Sequence, residues 1–82
     1  MTENYQRFQA LLEETYKELF ESAPSYKYVK EHNTPASLAV KIVESLQIGY
    51  THITGCGVSE VCLKLGIKQN AKAIKAYLTQ TP

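Results

Sequence analysis

Residues 3–24, ENYQRFQALLEETYKELFESAP, decide the fold class. Tyr5, Phe8, Leu12, Tyr16, Leu19 and Phe20 recur at spacings of three and four. This gathers them on one side of an α-helix, while Arg7, Glu14, Lys17 and Glu21 fall on the other. The pattern predicts a helix over 3–21. Its end is marked by Ser22-Ala23-Pro24, because proline disfavours helical geometry in the preceding residue and has no backbone N–H to donate.

Beyond Pro24 the same reading yields further helical segments. Tyr26, Tyr28 and Val29 lie among Lys27, Lys30 and Glu31, a pattern compatible with a short helix over 25–32. Thr34-Pro35 is a start signal: threonine accepts from a free first-turn amide, and proline at the first helical position gives up a donor that would be unpaired anyway. Leu38, Ala39, Ile42, Val43 and Leu46 then form an apolar stripe, which predicts a central core helix over 35–48 with Gly49 as its cap. Residues 50–57 read as a loop, with Gly55-Cys56-Gly57 as a hinge or tight turn. Val58, Val61, Cys62 and Leu65 predict a helix over 58–65 capped by Gly66, and Ala71, Ile74 and Leu78 predict a last one over 69–79. Ile67 plugs the corner between these two. The expected fold is all-α: one small domain, a bundle of four to five helices ending in a helical hairpin.

Composition narrows the functional classes. With 82 residues, 44% hydrophobic and 21% charged, the chain is long enough for one modest core and too apolar to be a disordered tail. No apolar run approaches the roughly 20 residues of a membrane helix. The opening Met1-Thr2-Glu3-Asn4-Tyr5 lacks the positive charge and apolar stretch of a secretory signal, so a cytoplasmic location is expected. Cys56 and Cys62 are six apart, without the close pair that zinc sites use, and neither His32 nor His52 supplies it; Cys62 reads as a small hydrophobe. No metal or cofactor is expected. No nucleophile, base and acid come together in a local motif, and Glu14, Glu18 and Glu21 read as a solvated face, so no enzymatic activity is expected.

The C-terminal hairpin carries the one functional signal. A small residue at Cys62, a turn glycine at Gly66 and Ile67 directly after it resemble a helix-turn-helix unit, in which the small residue lets two helices approach and the glycine makes the turn. Leu65-Gly66-Ile67-Lys68, continuing to Lys72-Ala73-Ile74 and Tyr77-Leu78, also resembles the C-terminal ends of small bacterial and phage proteins, which implies no activity for individual residues. The helix-turn-helix resemblance implies that the last helix meets duplex DNA. Gln69 and Asn70 would contact bases or sugars, and Lys64, Lys68, Lys72 and Lys75 the phosphates. The pattern departs from the family in one place: the sixth residue after the turn glycine, an aliphatic core position there, is Lys72 here. Either the helix begins later, after a longer turn, or the unit is an ordinary helical hairpin.

Charge follows the same division. Residues 57–82 hold Lys64, Lys68, Lys72 and Lys75 against Glu60 alone, whereas the whole chain carries only +1. Placed at i, i+4 and i+7, Lys68, Lys72 and Lys75 are expected to form a single stripe on the last helix. One short basic helix makes few phosphate contacts, so a homodimer is the expected binding form. The alternative is a protein-protein adaptor or inhibitor using Tyr26 and Tyr28, in a chain with six tyrosines.

Overall fold

Thr2 starts the first helix. Its hydroxyl oxygen accepts from the backbone N–H of Tyr5 at 3.0 Å, and α1 then runs over Glu3–Ser22. The computed structural model describes residues 2–48 and 56–80. After α1 come a 3-10 turn, Pro24–Tyr26, and four more helices: α2 (Lys27–His32), α3 (Pro35–Gln47), α4 (Cys56–Leu65) and α5 (Ala71–Thr79). Every regular element among the described residues is helical, and none is long and apolar enough to cross a membrane.

The central helix is α1. The spacing pattern expected the helix over 35–48 to hold that place, but α3, α4 and α5 all pack on α1, while α3 meets α1 and α5. The reason is length and the width of the buried arc. Twenty residues at 1.5 Å per residue span about 30 Å, enough floor for three shorter helices. Asn4 and Thr15 are buried beside Tyr5, Phe8, Leu12, Tyr16 and Phe20, and this widens the contact surface. The two polar members find partners: Thr15 Oγ1 donates to the Leu11 carbonyl at 2.9 Å, and Asn4 Nδ2 to the Tyr77 carbonyl at 3.2 Å.

The Asn4 bond belongs to a seam that joins the start of α1 to the end of α5. Thr2 Oγ1 also donates to the Leu78 carbonyl at 2.6 Å. The last carbonyls of a helix have no partner within it; the cap residue Thr2 takes that of Leu78, and Asn4 of α1 shares that of Tyr77 with the Gln80 N–H. Ile74 and Leu78 are buried beneath this seam, and the Phe8 and Tyr77 rings meet at 6.3 Å.

Local signals explain the remaining boundaries. Thr34 and Ser37 form a reciprocal capping box at the start of α3: Ser37 N donates to Thr34 Oγ1 at 3.1 Å and Thr34 N to Ser37 Oγ at 2.9 Å. Ala39, Val43 and Leu46 supply its buried side. Gly49, the expected cap, lies outside the described residues, as does most of the loop expected over 50–57. The last two positions of that loop are already in α4. Gly57 is therefore a packing residue and not a hinge: a Cβ added there would lie 2.6 Å from Tyr16 Cε1, so only glycine lets α4 approach α1 this closely.

Candidate nucleic-acid interface

The cationic end of the molecule is organised by two caps. Gly66 adopts a φ of +71°, where side chains are strained; Gly66 N donates to the Leu63 carbonyl at 3.3 Å and Ile67 N to the Cys62 carbonyl at 3.1 Å. This pair of bonds is a Schellman motif, and it stops α4 where the sequence placed its end. Ile67, directly after it, packs against the core. The second cap is Asn70. In extended geometry, it accepts from the Ala73 N–H through Oδ1 at 2.8 Å and starts α5 at Ala71, two residues later than the spacing predicted.

That later start changes the placement of the predicted site residues. Lys68, Gln69 and Asn70 occupy the turn, and only Lys72 and Lys75 share the phase of α5. The single helical stripe expected from Lys68, Lys72 and Lys75 is therefore not formed as such; an asparagine cap ends helical geometry between its first and second members. The connection from Gly66 to Asn70 is five residues; α4 packs mainly on α1, and α5 on α1 and α3 alike, rather than on each other. Ile74 and Leu78 are buried, which leaves Lys72 and Lys75 on the exposed arc of α5, Lys75 at its edge.

Lys64, Lys68, Lys72 and Lys75 are all exposed. Among the described residues the ion pairs are Arg7 with Glu3 at 3.6 Å and Lys17 with Glu13 at 3.9 Å, both within α1. None of the four C-terminal lysines is paired with a carboxylate among the described residues. Gln69 and Asn70 are exposed but already engaged: Ser59 Oγ donates to Gln69 Oε1 at 3.1 Å, and Asn70 Oδ1 holds the α5 cap. Reading an adenine edge takes both the donor and the acceptor of one amide, so neither side chain has its full pair free in this arrangement.

The two tyrosines of the alternative reading separate. Tyr26 is partly buried, its ring 6.1 Å from both Tyr16 and Phe20, so it extends the aromatic core. Tyr28 is 72% exposed and lies 4.6 Å from the His32 ring. Cys62 is fully buried, and burial pushes its thiol above the ordinary 9.0, the character of a packed hydrophobe and not of a nucleophile. His52, the other neighbour considered for metal binding, lies outside the described residues.

One surface feature escaped the sequence reading. Leu63 is 76% exposed on α4, and with Leu19 of α1 it lines an open hollow edged by Ser59, Glu60 and Gln69. The signal was present: Leu63 lies outside the inward series Val58, Val61, Cys62 and Leu65, and between Glu60 and Lys64. No family model matches the chain, and neither a curated protein nor a solved structure shows significant similarity to it.

Proposed function

We propose that this chain is a non-enzymatic binding protein whose α4–α5 end contacts the phosphate backbone of duplex DNA. The observation that carries this reading is the set of four exposed lysines, Lys64, Lys68, Lys72 and Lys75, unpaired among the described residues and placed about one turn between two helices. Cations free of internal partners can neutralise phosphates and release condensed counterions, which favours association. Because the Gln69 and Asn70 amides are engaged within the protein, the proposed contact is to backbone rather than to bases, and binding depends little on sequence.

The test is fluorescence anisotropy with short duplexes of unrelated sequence. At about 50 mM salt the protein binds both duplexes similarly, and three to four phosphate contacts give a log–log salt slope of about −3. Reversing Lys68, Lys72 and Lys75 to glutamate weakens binding by more than about tenfold, with the helical circular dichroism unchanged because all three are exposed. Absence of binding by the unaltered protein at that salt removes the reading. A protein-protein adaptor is the second reading, favoured by the exposed ring of Tyr28; nuclease-resistant recovery of one partner that is lost on Tyr28→Ala supports it instead.

A further inference from the structure

Among the helices that pack on α1, α5 is the most lightly anchored. It buries two side chains, Ile74 and Leu78, where α3 buries Ala39, Val43 and Leu46 and α4 buries Val58, Val61 and Cys62. An element with few buried apolar side chains is among the first to open while the remainder stays folded. Two features of Tyr77 and its neighbour Leu78 act on that opening in opposite directions.

The main chain holds the helix down. The Tyr77 carbonyl accepts from Asn4 Nδ2 at 3.2 Å, and the Leu78 carbonyl from Thr2 Oγ1 at 2.6 Å. The Tyr77 side chain does the reverse. Its ring lies 6.3 Å from that of Phe8, and its hydroxyl oxygen is buried with no hydrogen-bond partner among the described residues. A hydroxyl taken out of water without a partner disfavours the state that buries it, and lifting α5 returns it to water.

We infer that α5 is a latched element that opens as a unit, biased outward by the unpaired Tyr77 hydroxyl and held closed by Thr2 and Asn4. The packing of α1 on α3 is the most extensive between helices among the described residues, so that pair persists when α5 lifts. Lys72 and Lys75 travel with α5, whereas Lys64 stays on α4, so opening disperses the exposed lysines. The inference goes beyond the phosphate-binding reading and does not depend on it.

Native-state hydrogen exchange of the full chain without nucleic acid tests this. The Ile74 amide, bonded to the Asn70 carbonyl at 3.0 Å, and the amides after it in α5 share one level of protection, about tenfold or more below that of the α1 amides around Leu12. Tyr77→Phe keeps the ring, removes the unpaired hydroxyl and slows α5 exchange by about fivefold or more. Thr2→Asp keeps an oxygen to cap α1 but loses the donor to Leu78, and speeds α5 exchange by about fivefold or more; Thr2→Ser keeps both and leaves it unchanged. The amides of α2, which packs on the 3-10 turn, keep their rates in all three variants. Equal protection of α5 and α1, a Tyr77→Phe variant whose α5 exchange is not slowed, or a Thr2→Asp variant whose α5 exchange is not faster overturns the inference.

Discussion

The inner and outer faces of α4 and α5 follow opposite rules. Inside, every position is specified by what it touches: Gly57 by the Tyr16 ring, Val58, Val61 and Cys62 by the core, and Ile74 and Leu78 by the core that α5 shares with α1 and α3. Outside, Glu60, Leu63, Lys64, Lys72 and Lys75 stand in solvent. The inner face therefore governs whether the molecule folds, and the outer face what it meets. Substitutions on the two faces should separate cleanly, stability changing with one and association with the other.

The largest expected effect is on the inner face. Ile74→Ala removes a side chain that is 1% exposed and should lower unfolding free energy by about 2–5 kcal/mol in urea melts; a loss below about 1 kcal/mol would mean that α5 is not held as described. Gly57→Ala comes next, at about 1–3 kcal/mol of destabilisation by overpacking. Its sign is the sharper point. Helix propensity favours alanine over glycine by about 1 kcal/mol, so a stabilised variant would show that the Tyr16 ring yields.

Smaller changes probe the border between the faces. Asn70→Ala deletes the α5 cap and should cost about 1 kcal/mol in thermal or urea melts, while leaving relative affinity for unrelated duplexes unchanged. A change in sequence preference would show that Asn70 reads bases after all. Lys72→Glu should alter stability by no more than about 0.5 kcal/mol and still weaken duplex binding. Equal loss of stability and binding would erase the distinction between the two faces.

Most of the architecture was legible in advance for identifiable reasons. The three-and-four spacing of α1, the Thr34-Pro35 start and the Gly66 stop are local signals, and local hydrogen bonding honours each of them. The start of α5 was misplaced because Asn70 reads equally well as a helical residue or as a cap, and only the bond to Ala73 distinguishes them. Gly57 was misread for a related reason: a glycine looks the same in a sequence whether it serves backbone freedom or a close helix approach. Tyr26 and Tyr28 were grouped because they are neighbours in the chain, whereas the 3-10 turn leads one into the aromatic core and leaves the other in water.

Alone, the sequence determined that this chain is all-helical, where most of its helices begin and end, and which residues of each turn inward, since periodicity and capping act within a few residues of chain. Only the tertiary structure decided that α1 is the floor, that Thr2 and Asn4 close the end of α5, and that the Gln69 amide oxygen is taken by Ser59. These depend on residues between 10 and 76 positions apart, and which partner a side chain takes is settled by the packing that brings them together.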